Sequence, residues 1–139
     1  MRGRTPLIVA ARNGREGIVK LLLERKDVNS NTRDTQQGLT VLSRASYNGH
    51  KGVVKLLLGR KDVNPDTQDK YGQTPLFWAS YGGHEVIVKL LLEGKDVNPN
   101  SSSKTGQTPL MIATKKGHDR IIELLQTRHS LVSNNPVPT

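Results

Sequence analysis

The chain has 139 residues, 34% hydrophobic and 4% aromatic, and a net charge of +9 from 21 Lys and Arg against 12 Asp and Glu. That leaves room for one ordinary domain but few apolar groups for a single large core, which favours a fold that buries apolar faces between stacked neighbours. The lack of cysteine excludes a disulfide framework and thiolate metal sites, no apolar run is long enough for a membrane helix, and the start Met1-Arg2-Gly3-Arg4 has no secretory h-region; an intracellular protein, cytoplasmic or nuclear, is expected.

Taken in chain order, one unit recurs. Its anchor, Thr-x-Leu, falls at Thr5-Pro6-Leu7, Thr40-Val41-Leu42, Thr74-Pro75-Leu76 and Thr108-Pro109-Leu110, at spacings of 35, 34 and 34. Each anchor leads to an alanine (Ala10, Ala45, Ala79, Ala113) and then a glycine (Gly14, Gly49, Gly83, Gly117). An apolar run follows, spelled Ile18 to Leu23, Val53 to Leu58, Ile87 to Leu92 and Ile121 to Gln126. Three copies close on Lys-Asp-Val-Asn, at 26–29, 61–64 and 95–98.

Each unit predicts two short helices and a connecting loop. Thr is a good N-cap because its hydroxyl accepts from the free N–H groups of the first turn. Pro at the next position has its φ preset and lacks an N–H that would be unpaired anyway. Gly82-Gly83 stops the first helix of the third unit where a left-handed turn is needed. The second helix carries Ile87, Leu90 and Leu91 on one face. The segment Asp69-Lys70-Tyr71-Gly72 has the chemistry of a tight hairpin tip.

With these motifs assembled, the unit resembles the ankyrin repeat, usually spelled Gly-x-Thr-Pro-Leu-His-x-Ala-Ala-x-x-Gly-His, then Val-Val-x-Leu-Leu-Leu, then Ala-Asp-Val-Asn. The resemblance spans residues from about 3 to about 128. It implies an all-α repeat solenoid of stacked helix-turn-helix units with β-hairpin fingers, and binding of other proteins on the concave surface formed by fingers and first helices. Repeats are expected at about 3–37, 38–71, 72–105 and 106–132, one domain over 1–132, with a flexible tail over 133–139. The Lys-Asp-Val-Asn-Pro element is also similar to ankyrin arrays of fungal multidomain proteins, where such arrays often follow a nucleotide-triphosphatase module.

Departures from the family spelling carry expectations of their own. The unit exceeds the usual length of about 33 residues, with the excess ahead of the next Thr, so the finger should be longer or bulged. Ile8, Ser43, Phe77 and Met111 replace the His that in the family ties neighbouring repeats by hydrogen bonds, so apolar packing should substitute. Val41 in place of Pro should weaken one helix start. The last unit carries Lys115, Lys116, Asp119, Arg120 and Gln126, the polar outer face of a terminal cap. The first unit shows no cap, which suggests an array cut from a longer one.

On a helical wheel Leu76, Ala79 and Ser80 face the core while Trp78 and Tyr81 point away. The equivalent outward pairs are Val9 and Arg12, Arg44 and Tyr47, and Ile112 and Lys115. By the family's geometry this row lines the groove, extended by Lys70 and Tyr71 at the finger tip. Exposed Trp, Tyr and Arg dominate binding energy at protein interfaces, so Arg12, Arg44, Tyr47, Lys70, Tyr71, Trp78, Tyr81 and Lys115 form the candidate partner-binding set. A second reading of Trp78 has it packed on its own finger and on Arg44. Phe77 and Met111 are assigned to core packing.

His50, His84 and His118 recur at one position and are assigned a structural capping role rather than a metal site; His129 stands alone and is expected to be exposed. Asp27, Asp62 and Asp96 read as turn formers. Asn29, Asn64 and Asn98 match the Asn that is hydroxylated in some members of the family. No nucleophile, base and orienter converge, and no phosphate-binding loop is spelled, so no enzyme and no cofactor are expected.

The leading function is therefore a noncatalytic module that binds a protein or peptide, as a monomer or as part of a larger multidomain protein. The alternatives are a basic surface for nucleic acid or another anionic partner, and a structural spacer in a longer array. The charge is spread along the chain without a block of like charges, which disfavours nucleic acid.

Overall fold

A computed structural model describes residues 5–133, with side chains described as far as Thr127. Among the described residues lie eight helices in four pairs: α1 (Pro6–Arg12) with α2 (Glu16–Leu23), α3 (Val41–Asn48) with α4 (Lys51–Leu58), α5 (Pro75–Gly82) with α6 (Glu85–Leu92), and α7 (Pro109–Lys116) with α8 (Asp119–Ser133). None is long and apolar enough to cross a membrane. His129 and the whole of the expected tail lie outside the residues whose side chains are described.

Each first helix starts as the sequence predicts. The hydroxyls of Thr5, Thr40, Thr74 and Thr108 accept from the N–H groups of Ile8, Ser43, Phe77 and Met111, satisfying donors that the first turn leaves open. Val41 costs α3 no length: it spans 8 residues, as α5 and α7 do.

The first helices pack in series, α1 on α3 on α5 on α7, and the second helices form a parallel series behind them. Leu7, Leu42 and Leu76 are buried between these rows, as are Ala10, Ala45, Ala79 and Ala113. From the second helices Val53, Leu57, Ile87, Leu91, Ile121 and Leu125 join the same core. Burying such a side chain fully is worth about 1.5–3 kcal/mol, and every pair contributes only a few. The stack therefore depends on contact between neighbours.

The fingers are not hairpins in the expected sense, because no strand forms among the described residues. Arg33 and Thr40 make one isolated antiparallel bridge. Each tip is instead closed by a single side chain. Asp34 Oδ1 accepts from the backbone N–H of Gln37 and Gly38. Asp69 Oδ1 accepts from Tyr71 and Gln73, and Ser103 Oγ from Thr105 and Gln107. With the turn satisfied by a side chain, only a short backbone pairing remains in each finger, as in Asp69 N–H to Gln73 O. Successive tips are joined through Lys70 N–H to Gln37 O at 3.0 Å and Lys104 N–H to Tyr71 O at 2.8 Å. The extra residue of the 35-residue spacing sits in the first of these tips, between Asp34 and Leu39.

His50 and His84 occupy N-cap positions but make no side-chain cap hydrogen bond. That corrects the capping role expected of them. Their rings reach the preceding pair instead: His50 Nε2 donates to Arg12 O at 2.8 Å, His84 Nε2 to Tyr47 O at 2.8 Å, and His118 Nε2 to Tyr81 O at 3.2 Å. A carbonyl oxygen only accepts, so Nε2 carries the proton in each ring. The ties expected to be lost at Ile8, Ser43, Phe77 and Met111 are thus made from another position. They also explain Gly49 and Gly83, which end α3 and α5 at φ 79° and 76°. A Cβ on Gly49 would sit 2.6 Å from the His84 ring, and one on Gly83 would sit 2.8 Å from the His118 ring.

The apolar substitution itself holds for two units, at Ile8 and Phe77; in the second unit the buried residue is polar, and the Ser43 hydroxyl is hydrogen-bonded with that of Thr40. Ile8, Ser43 and Phe77 are buried, but Met111 is 55% exposed. The core role assigned to Met111 fails because no further pair packs on α7 among the described residues. Lys115, Lys116, Asp119, Arg120 and Gln126 are exposed on the same terminal pair.

Candidate partner-binding site

The finger-tip aspartates do more than close turns. Asp34 Oδ2 pairs with Arg44 Nη2 at 3.2 Å, and Asp69 Oδ2 accepts from Trp78 Nε1 at 3.0 Å. Each aspartate therefore fixes both its finger and the outward side chain of the helix that follows. In the next unit the aspartate becomes Ser103 and the outward residue becomes Ile112. Both ends of the link change together.

That pairing corrects the placement of Ile112, which is 4% exposed rather than turned outward. Val9, at the equivalent place in the first pair, is only partly buried.

Around Trp78 the rings form a cluster. Tyr47 meets Trp78 edge-on at 5.2 Å between centroids and lies 5.7 Å from Tyr81; Trp78 and Tyr81 are 5.5 Å apart. Phe77 is buried, as expected of a packing residue, yet it also meets Trp78 edge-on at 5.4 Å. Such contacts add about 0.5–1.5 kcal/mol each beyond burial. Trp78, Tyr47 and Tyr81 remain half-buried.

The cluster is one wall of a recess of about 400 Å³ in the angle between first helices and fingers. Arg12, Arg44, Tyr47, Trp78 and Tyr81 line it, with Gln36, Gln37 and Leu39 from the neighbouring finger. Five of the eight residues singled out from sequence are thus brought together.

The other three are placed differently. Lys70 Nζ donates to the backbone carbonyls of Thr35 and Gln36, at 2.8 and 3.0 Å, and so ties one finger to the previous one. Tyr71 is 55% exposed at the finger tip and makes no ring contact among the described residues. Lys115 is exposed on α7. Its neighbour Lys116 is the residue that reaches the cluster, with Nζ 4.5 Å from the centre of the Tyr81 ring, a cation–π contact. Lys116, Asp34, Asp69, Gln36 and Gln37 were missed from sequence. The alignment of Asp34 with Asp69 and Ser103 at the tips was the available signal.

Electrostatics hold the two sides of this site in place. Burial alone would raise the Asp34 carboxyl, but the Gln37 N–H, the Arg44 guanidinium and its charge outweigh burial and hold it below the usual carboxylate range. It is ionised at neutral pH. Among the described residues no three His, Cys, Asp or Glu side chains are grouped to hold a metal.

Residues 1–69, and again residues 44–135, match a family model described as ankyrin repeats (3 copies). No match was found among curated proteins.

Proposed function

The chain belongs to the ankyrin repeat family, whose members are generally noncatalytic protein–protein interaction modules, and from that premise we propose that it binds a partner protein or peptide in the recess between fingers and first helices. The observation that carries this reading is the convergence of Arg12, Tyr47, Trp78 and Tyr81 on one cavity wall without full burial. Residues that served only packing would be covered, as Phe77 and Ile112 are. Rigid rings held edge-on by one another present contact area with little entropy left to lose. The hydrogen bond from Trp78 to Asp69 is the contact with its own finger that the second reading of Trp78 expects, and it also fixes the indole before any partner arrives.

The experiment is to select binders from a displayed library of random short peptides, then measure their affinity for variants. Trp78→Ala with Tyr81→Ala should weaken binding by roughly a hundredfold, the scale of two interface anchors. Because those rings also pack on each other, Arg12→Ala serves as a second variant: its side chain is exposed, so folding should be unaffected while affinity falls. Unchanged affinity for both variants would reject the recess as the binding surface.

A further inference from the structure

The fold sorts the charge in a way the chain order conceals. The helices α1, α3, α5 and α7 carry Arg12, Arg44, Lys115 and Lys116 and no acidic residue. The finger tips add Arg33, Lys70 and Lys104, and their only acids are Asp34 and Asp69. Both aspartates are buried, at 7% exposure each. Their oxygens are already engaged by turn N–H groups, by Arg44 and by Trp78. The other ten of the twelve acidic residues lie on the second helices, on the loops that follow them, or at Asp66 in the finger base. No unengaged carboxylate belongs to the first helices or the finger tips.

We propose that the partner of this face is an acidic peptide segment, carrying carboxylates on either side of one bulky apolar residue. The proposal rests on the recess reading above and names its ligand chemistry. The apolar residue would meet Tyr47, Trp78 and Tyr81. Arg12, which lines the recess, and Lys116, which lies over Tyr81 on the neighbouring α7, would meet the flanking carboxylates. The amides of Gln36 and Gln37 both donate and accept, and so suit a peptide backbone.

Charge density separates this partner from nucleic acid. Duplex DNA presents one negative charge per about 1.7 Å of axis and needs a dense row of available cations. Here Arg44 is neutralised by Asp34, while Arg33 and Lys70 stay charged but have donors engaged by the carbonyls of Gly38 and Gln68 and of Thr35 and Gln36. Arg12, Lys104, Lys115 and Lys116 make no such side-chain hydrogen bond among the described residues, and these cations are distributed along the stack rather than in a dense row, which matches a segment bearing a few separated carboxylates.

Selection from a random short-peptide library on the full chain tests this directly, and Trp78, the single Trp of the chain, reports occupancy by its fluorescence. The expected result is enrichment of acidic peptides containing Leu or an aromatic residue. Their binding changes Trp78 emission, weakens with added salt, and falls by roughly tenfold or more with Arg12→Gln and Lys116→Gln combined. Enriched peptides that are neutral or basic but still change Trp78 emission would overturn the acidic partner and leave the recess standing. Peptides that bind without changing Trp78 emission, or no enrichment at all, would overturn both. Tighter binding of a single-stranded thymidine oligonucleotide than of any selected peptide at physiological salt would overturn the peptide in favour of nucleic acid.

Discussion

Asp34 and Asp66 respond to pH with opposite signs, although each lies in a finger. Asp34 is held below the usual carboxylate value of 3.8, so its contribution is fully present above that pH and is lost as pH falls through the folded value. Asp66 is raised by burial, opposed by the one hydrogen bond it accepts from Asn98 N–H, and its Oδ1 is buried without a partner. The folded state thus holds its proton more tightly than the unfolded chain does. Ionising Asp66 costs stability at neutral pH, and that cost disappears as pH falls below 3.8. Asp66→Asn should therefore raise the melting temperature at neutral pH, with the gain shrinking toward zero in acid. Asp34→Asn should lower it by the equivalent of about 1–3 kcal/mol, the worth of a charge-assisted hydrogen bond, with the loss shrinking in acid. Thermal melts across pH check both, and parallel curves for the two variants would contradict the assignment. Side-chain direction was legible in the sequence for Trp78, Tyr81 and Ala79, because one helical period fixes it. The partners of Trp78 and Arg44 were not, because Asp69 and Asp34 reach them from a finger whose path no periodicity encodes.

Between elements, one register device is the histidine that crosses from one pair to the carbonyl end of the pair before it. Gly49 and His84 are the clearest case, because the left-handed glycine leaves the space that the ring fills. Gly49→Ala should cost about 1–2 kcal/mol for the backbone strain at positive φ, plus a further amount for the clash with the ring. His84→Ala should cost about 1 kcal/mol for the lost hydrogen bond. In the double variant the clash is gone but the strain remains, so the combined loss should be smaller than the sum of the single losses. Strict additivity in denaturant titrations would show that ring and glycine do not press on each other. The helices were legible because Thr-Pro-Leu and the Gly stop each use one local rule. The histidine ties were not, because the bond spans 37 residues and a sequence pattern shows only that the residue repeats. The fingers misled for a related reason: Asp69-Lys70-Tyr71-Gly72 does form a tight tip, but the aspartate side chain replaces the ladder that would have made strands.

At the scale of the whole molecule, stability is a sum over neighbours, and the four pairs do not have equal numbers of them. Ile18 and Leu21 show the difference. Their counterparts Val53, Ile87 and Ile121 are buried and Leu56, Leu90 and Leu124 are partly buried, each packed on the core, whereas Ile18 is 51% and Leu21 66% exposed. Those apolar groups gain little from folding, and among the described residues α1 and α2 pack on later pairs from one side only. The last pair also has one packed side among the described residues, but α8 is the longest helix, at 15 residues, and its exposed side chains as far as Thr127 are polar, which leaves Met111 as the large apolar side chain uncovered there. The inner pairs, α3–α4 and α5–α6, are held from both sides and include the aromatic cluster and the Asp34 and Asp69 links. Local opening should therefore begin in the first pair. Amide hydrogen exchange should be fastest in α1 and α2 and slowest in α3, α5 and α6, with protection graded along the stack rather than uniform. Protection highest in α1 and α2 would mean that the exposed stripe of Ile18 and Leu21 is covered in solution. Substituting Leu21→Lys discriminates further: on an open surface it leaves the melting temperature within the small range of ordinary surface changes, whereas under a cover it destabilises the chain and makes that loss depend on protein concentration.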